Sequence, residues 1–555
     1  MPLDYQSLTF AYRRSPDQAA DVSESAPVRR PVVVVGAGPV GLTCAIDLAR
    51  QGIPVVVLDD DDTLSTGSRA ICFAKRTLEI WDRLDCGDRM VDKGVSWNVG
   101  KVFFQDGLVY RFDLLEEPGH RRPAFINLQQ YYVEGFLFER ASAEPDIDLR
   151  WKNRVVGLEQ DGTQALLTIE TPDGPYRLAC DYVIACDGSR SPMRGLLGLK
   201  SEGHSFRDRF LIADVKMTPE TSARFAAERW FWFDPPFHRG QSVLLHRQPD
   251  DVWRIDFQLG WDADPVAERE PERVAARVRA LLAQNGGEGD DGDEAGFTFE
   301  WMSVYTFACL RMERFRHGRV LFAGDAAHGV SPFGARGANS GVQDADNLAW
   351  KMRLVLQGRA PDRLLDSYDT ERVDAADENI LNSTRSTDFI TPKSEVSKTF
   401  RDAVLRLAAD HPFARRLVNS GRLSVPATLA ASALNTPDRD PFAGAMLPGA
   451  TCVDAPVVAD GRDGWLLDHL GEEFTLLCFG EAAQAASLGD LSVPLRIVVV
   501  APGAVHDRDG RVAARYDATP GTAYLIRPDQ HVCARWRTWT ADDVRAALAR
   551  ATCND

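Results

Sequence analysis

The chain has 555 residues, with 64 Lys and Arg against 81 Asp and Glu, a formal net charge of -17. At a prior of about 150 residues per domain it holds several folding units, and its negative balance argues against a protein that tracks nucleic-acid phosphates. Hydrophobic residues make up 44% and charged residues 26%, ordinary globular usage that excludes global disorder; no apolar run approaches the roughly 20 residues of a membrane-crossing helix.

In chain order, residues 1 to 30 are polar and without periodicity, a mobile arm or a strap lying on the surface. The start, MPLDYQSLTFAYRRSPDQ, places charges and aromatics where a secretory signal has a continuous apolar core, so the chain reads as cytoplasmic. From Pro31 the text runs strand, glycine turn, helix from Leu42 to Arg50, a stop at Gly52, and a second strand ending at Asp59. This βαβ unit implies a parallel, doubly wound sheet. Between Arg207 and Leu259, runs such as FLIADVKM, RWFWF, SVLLH and VWRIDFQL predict an antiparallel sheet in a second domain. The glycine and acid cluster Gly286 to Gly296 is a surface loop. VLFAG at Val320 returns to α/β character, a helix through Asp344 to Gln357 stops at Gly358, and helical text continues from Leu364 to about Arg422. A Pro and Gly stretch then leads to a third domain of strands FTLLCFG, LRIVVVAPG, TAYLIRP and HVCARW and a final helix beginning near Thr540. The ten cysteines form no C-x-x-C pair and no metal-like spacing, so most are small buried hydrophobes.

The string GAGPVG supplies Gly36, Gly38 and Gly41 directly after a strand and directly before a helix. Gly36 permits the tight turn, Gly38 lets backbone amides approach a pyrophosphate, and Gly41 lets helix and strand pack. Asp59, at the end of the next strand, is placed to accept ribose hydroxyls. By itself the motif does not separate NAD from FAD.

Two further strings, CDGSRSPMR at Cys186 to Arg194 and GDAAHGVSPFGARGANSGVQDADNLAWK at Gly324 to Lys351, resemble the second and third motifs of the group A FAD-dependent aromatic hydroxylases, the flavoprotein monooxygenases. The resemblance implies FAD contacts for Asp187 and Asp325, a helix start at Gly337 facing the flavin ring, Pro332 near the flavin face, and Asn339 near its pyrimidine edge. Amides at that helix start also suit negative charge on a reduced flavin. Ala335-Arg336-Gly337 replaces the family's more usual Gly-Gln-Gly. Arg69, in Ser68-Arg69-Ala70, resembles the family's flavin-side arginine, and Gln130 its cofactor-holding glutamine, with Gln129 the competing choice. His328 resembles a residue used for packing and hydrogen bonding. The tail, with YLIRPDQHVCARW, looks like the thioredoxin-like domain of the phenol hydroxylase and 3-(3-hydroxyphenyl)propionate hydroxylase branch; without C-x-x-C its implied use is structural or at a homodimer interface.

The implied fold is α/β: an N-terminal arm at 1–30; a Rossmann-like FAD-binding domain at 31–200 and 311–400; an inserted mixed or antiparallel β-sheet substrate domain at 201–310; a helical linker at 401–440; and a thioredoxin-like domain at 441–555. With no second G-x-G-x-x-G beside a βαβ unit, a dedicated nicotinamide domain is absent. The implied reaction uses FAD, NADH or NADPH, and O2 to hydroxylate a phenolic or substituted aromatic compound, with or without loss of a nitro or halide group. A tailoring oxygenase of polycyclic polyketide-type substrates and a non-oxygenating flavoprotein are the alternatives.

Catalytic candidates come from the substrate sheet. Strand alternation in VWRIDFQL puts Trp253, Ile255, Phe257 and Leu259 on one face and Arg254, Asp256 and Gln258 on the other; the sequence does not say which face meets the substrate. His246 is a candidate for deprotonating a phenol and Arg254 for binding an anionic group, while Asp256 has Arg254 as a possible ion-pair partner. The acidic residue that related phenol hydroxylases place after the first motif is replaced here by Ile71 or Cys72.

Overall fold

Four buried valines, Val32 to Val35, end the strand Val28–Val35 and set it at the centre of an eight-stranded sheet in the computed structural model. Parallel partners Tyr176–Ala185 and Val55–Leu58 flank it; Val320–Phe322 and Ile147–Arg150 extend the parallel core to either side. A β-branched run buried on both faces is what such a sheet requires. The structure describes residues 5–6, 8–24, 27–67, 69–285, 296–418, 423–481 and 487–555; the glycine and acid loop read at 286–296 lies outside them apart from Gly296.

The helices Pro39–Arg50 and Gly337–Leu356 pack against each other beside this sheet. Their contact is close because glycines make it so. A Cβ at Gly341 would lie 2.6 Å from Val40 Cγ2 and 3.0 Å from Gly324 Cα. The first and third motifs are therefore locked together.

The N-terminal segment is the strap of the two readings. Its helix Pro16–Glu24 carries Asp17, 2% exposed, which pairs with Arg30 and Arg150. Tyr5 is buried with its ring over Gly135, where a Cβ would come within 2.4 Å.

The second sheet has seven strands, in the order Phe297–Tyr305, Arg209–Met217, Val252–Leu259, Ser242–Arg247, Arg229–Phe233, Val99–Phe104, Gly107–Asp113. Two of its strands come from 99–113, outside the span 201–310. Their partner, Arg229–Phe233, runs parallel to Val99–Phe104, a pairing across more than a hundred residues that no local pattern announces. Trp253, Ile255, Phe257 and Leu259 pack with Val274, Val278 and Leu281 of the helix Pro271–Gln284. Arg254, Asp256 and Gln258 accordingly face the first domain, which settles the orientation the sequence left open.

Helical text after Leu364 resolves into Asp366–Ile390, Glu395–Asp410 and the short turn Pro412–Arg415. Thr391-Pro392 breaks the first two apart, as proline restricts the residue before it. In the tail, Leu495–Val500 runs parallel to Phe474–Phe479, and Ala523–Ile526 and Val532–Trp536 follow antiparallel on its other side. This is a thioredoxin-like arrangement, and its three described cysteines on strands or their approach, Cys452, Cys478 and Cys533, are buried and unbridged. Thr540 and Asp543 form a capping box at the last helix, Ala541–Ala551, the start the sequence predicts. The tail shares a core with the first domain: Trp350, Leu354 and Leu364 pack among Phe474, Leu476 and Trp536. Among the described residues no helix is long and apolar enough to cross a membrane.

Candidate active site

Three motif turns meet at the carboxyl ends of the parallel strands. Gly36 takes φ 105°, a conformation open to glycine, and a Cβ there would fall 2.5 Å from Cys186 O; the first turn backs directly onto the second motif. A Cβ at Gly41 would lie 1.9 Å from Gly36 O, whereas nothing stands within 4 Å of one at Gly38. Gly41 is enclosed and Gly38 presents an open face. The helix Pro39–Arg50 starts there with no side-chain cap, leaving its first N–H groups for an anion. Asp59 Oδ2 accepts Ala37 N–H at 2.6 Å and Oδ1 accepts Asp61 N–H at 2.9 Å. Burial pushes its carboxyl up to about 6.

Asp187 accepts Met193 N–H on Oδ2 at 2.9 Å and leaves Oδ1 buried without a hydrogen bond. Burial raises its pKa. Asp325 is solvent-accessible although protein surrounds it closely enough to raise its pKa, which places it in the wall of a cleft. A Cβ at Gly337, the first residue of the long helix, would lie 4.0 Å from Asp325 Oδ1. That helix start also lacks a side-chain cap. Two uncapped helix N-termini, an open glycine face and carboxylates with unused acceptor capacity fit a dinucleotide with polyhydroxyl chains.

Other carried-over residues have protein partners. Asn339 accepts from Ala74 N–H at 2.8 Å and Thr77 Oγ at 2.7 Å, and donates to Cys72 O and Ala335 O. Its side chain clamps the strand Cys72–Ala74 to the long helix. Gln130 accepts Ala70 N–H at 3.1 Å and donates to Ser65 Oγ and Glu134 Oε1, while Glu134 accepts Ser65 N–H at 2.7 Å. Together they hold Ser65 and Ala70 on either side of Arg69, whose side chain is exposed. Gln129 instead donates to Pro249 O at 3.1 Å. His328 Nε2 lies 2.7 Å from Asp344 Oδ2, which also accepts Gly324 N–H. Burial pushes the Asp344 carboxyl up, but His328 and Arg372 outweigh it and the pKa falls below the usual range. His328 braces the third motif. Arg336 is buried and donates to Asn379 at 3.0 Å.

The face of the substrate sheet turned toward these motifs can be read in rows across the strands. One row holds Gly100, Arg229, His246, Arg254, Asp214 and Trp301; the next Val102, Phe231, Leu244, Asp256, Ile212 and Ser303; the third Phe104, Phe233, Ser242, Gln258, Phe210 and Tyr305. The first row meets the loop after the nucleotide motif: a Cβ at Gly67 would lie 2.7 Å from Trp301 Nε1, and Arg254 Nη1 donates to Arg69 O at 3.1 Å. The third row meets the other side of the cleft, with the Phe210 ring centroid 4.7 Å from Phe333, the neighbour of exposed Pro332, and Ser242 Oγ donating to Ile390 O. The sheet roofs the cleft from Arg69 to Pro332.

Arg254 is 3% exposed and grips Asp214 with Nε and Nη2 at 2.8 and 2.7 Å. The pairing with Asp256 considered from sequence is corrected: Asp256 Oδ2 lies 3.2 Å from His246 Nε2. A bidentate fork so engaged leaves Arg254 a brace between sheet and loop. His246 is 2% exposed, and burial together with Arg229 pushes its pKa down to about 4, so the imidazole is neutral near pH 7. Its Nδ1 sits 3.8 Å from Cys72 Sγ. Arg229, Asp214, Glu134 and Tyr305 were not among the sequence candidates; Arg229, the one charge in RWFWF, was the only legible signal among them.

The three motif turns form a nucleotide cradle, and a mixed sheet closes one side of it. Residues 29–383 match the family described as FAD binding domain. The chain is 30% identical over 546 residues to the 12-dehydrotetracycline 5-monooxygenase/anhydrotetracycline 6-monooxygenase of Streptomyces rimosus, covering 93% of this chain and 96% of that one. It is 27% identical to the 3-(3-hydroxy-phenyl)propionate/3-hydroxycinnamic acid hydroxylase of Mycolicibacterium smegmatis, covering 93% and 92%. Among solved structures, the flavin-dependent monooxygenase PieE, in complex with FAD and substrate, superposes with TM-score 0.80 at 23% identity over 95% of this chain and all of that one. The chain belongs to the FAD-dependent aromatic monooxygenases, and FAD is its cofactor.

Proposed function

We propose that the protein hydroxylates a phenolic or substituted aromatic ring, taking reducing equivalents from NADH or NADPH and one oxygen atom from O2. The observation that carries this is the sheet's third row, Phe104, Phe233, Phe210 and Tyr305, whose Phe210 packs on Phe333 of the Pro332 turn at the uncapped start of the long helix. When bound, FAD supplies the redox chemistry and the activation of oxygen. This chain's residues do the rest. The aromatic row excludes water and offers faces to a planar ring. The helix start stabilises negative charge, and the Gln130–Glu134 clamp keeps Ser65 and Ala70 in place. Asp256, with His246 neutral beside it, is the polar group nearest the middle of the roof and is suited to receive a phenolic proton.

The tail, fused into the first domain's core, is structural in this reading, and the active species is a cytoplasmic homodimer. A polycyclic substrate is the second reading, favoured by the 30% identity to a tetracycline-type monooxygenase. The test is product mass under isotopically labelled dioxygen with NADH and NADPH, across phenols, nitrophenols, hydroxyphenyl acids and anhydrotetracycline. One labelled oxygen in a single-ring product supports the first reading, label only in the polycycle the second, and substrate-independent NAD(P)H oxidation with no labelled product refutes both.

A further inference from the structure

Arg229 is a buried cation without a counterion among the described residues. It opens the strand Arg229–Phe233, is 3% exposed, and lies across from Gly100 and His246 on the face that roofs the cleft. Among the described residues no carboxylate forms an ion pair with it. Its Nε is buried without a hydrogen bond and its Nη1 reaches Cys72 Sγ at 4.0 Å, too long for a strong interaction. The rings of Phe231 and Trp97 stand 5.1 and 5.9 Å from the guanidinium carbon, which offsets only part of the lost hydration. The other cation of this row, Arg254, is closed by Asp214, and Asp256 of the next row is engaged by His246. His246, held neutral by burial and by Arg229 itself, supplies no competing positive charge. A guanidinium taken out of water is strongly unfavourable unless an anion meets it.

We propose that Arg229 receives an anionic oxygen of the aromatic substrate, either a carboxylate carried by the ring or the ionised phenol oxygen itself. The inference rests on the hydroxylase reading and deepens it: the substrate is held as an anion, its charged oxygen lying beside Cys72 and His246 and the rest of its ring toward the aromatic row. The unneutralised charge of the planar fork favours an oxygen anion over the neutral oxygen of an amide or ether.

The test uses the FAD-loaded enzyme and its Arg229→Met and Arg229→Lys variants. Binding is read from the flavin absorbance change for two matched pairs, 3-(3-hydroxyphenyl)propionate against its amide and 4-nitrophenol against 4-nitroanisole. Wild type is expected to prefer the anionic member of at least one pair by about 30-fold, the range of a charge-assisted hydrogen bond, and the pair that shows it tells carboxylate from phenolate. Arg229→Met is expected to erase the preference and Arg229→Lys to keep part of it. A preference that survives in Arg229→Met, or is missing from wild type for ligands that bind, overturns the proposal. Ligand-free Arg229→Met is also expected to melt higher than wild type, because an unpaired buried charge has been removed; a lower melting temperature marks Arg229 as structural and overturns it. If neither pair perturbs the flavin, nitrate decides: raising the melting temperature of wild type but not of Arg229→Met supports the site, and no shift in wild type refutes it. Labelled-oxygen incorporation is followed separately, so lost hydroxylation with retained anion preference counts against the function alone, and the reverse against this inference alone.

Discussion

Replacing Arg527 with Met removes one member of a fully buried charge network that joins the tail to the first domain. Arg527, 0% exposed, donates to Glu371 Oε1 at 2.6 Å and Oε2 at 3.1 Å, and to Asp529 Oδ1 at 2.9 Å. Lys351 Nζ reaches Glu371 Oε2 at 2.7 Å, and Asn347 bridges Glu371 and Asp529 at 2.7 and 3.2 Å. Two cations face two anions, so the variant leaves one uncompensated buried negative charge. Breaking a buried pair from one side costs about 3–5 kcal/mol, a large share of the roughly 5–15 kcal/mol that holds a domain together. Arg508, paired at 3.0 Å with Asp463 on the surface where the two side chains are 63% and 85% exposed, is the control; Arg508→Met should change stability by about 0–1 kcal/mol. The assay is urea unfolding of the FAD-loaded protein, followed by tryptophan and by flavin fluorescence. In Arg527→Met both transitions should move to lower urea. Adding Glu371→Gln should recover about 0.5–3 kcal/mol relative to additivity, since Arg527 and Glu371 contact each other and one cation then again faces one anion. A loss of under about 1 kcal/mol in Arg527→Met, or strict additivity with Glu371→Gln, refutes the reasoning that the network fastens the tail.

The same network sets a pH dependence. Burial pushes the Glu371 and Asp529 carboxyls up, but Arg527 outweighs it and both lie well below their usual values of 4.5 and 3.8. A depressed carboxylate stabilises the fold above its unfolded pKa and loses that contribution as pH falls toward the folded value, so melting temperature should drop below about pH 5 and drop less steeply in Glu371→Gln; equal slopes would sink this. Gly41→Ala puts a Cβ 1.9 Å from Gly36 O and should yield folded protein with almost no flavin, measured by the absorbance ratio of the purified variant. Ala335 holds φ 53°, a left-handed conformation that costs a non-glycine residue about 1–2 kcal/mol, so Ala335→Gly should raise the unfolding midpoint without changing flavin content; a lower midpoint counts against strain at that turn.

What could be read from the sequence was what lies close along it. Gly36, Gly38, Gly41 and Asp59 are legible because turn, helix start and strand end occupy one short βαβ unit. Asp187 and Asp325 are legible only through motif resemblance, since nothing local says that Cys186 O backs onto Gly36. The roof of the site was hidden for a different reason. Strand alternation correctly separates Arg254 and Asp256 from Trp253 and Ile255, but their partners are chosen across the sheet: Asp214 for Arg254, His246 for Asp256. A cross-strand row assembled from residues 100, 229, 246, 254, 214 and 301 has no signature in chain order. Asn339 was legible only by resemblance, and the four protein contacts that its amide makes were not.

The strap and the network also bear on how the chain is made. A ribosome adds about 5–20 residues per second, N-terminus first. Asp17 must therefore wait on the order of ten seconds for Arg150, and Arg76 far longer, since its guanidinium meets Asp346, Asp529 O and Gln530. A nascent chain halted before residue 527 carries an interior cation with two of these three acceptors unsynthesised. Completion of the last strands is thus a checkpoint for the first domain, and prematurely terminated products should be substrates for proteases rather than for flavin.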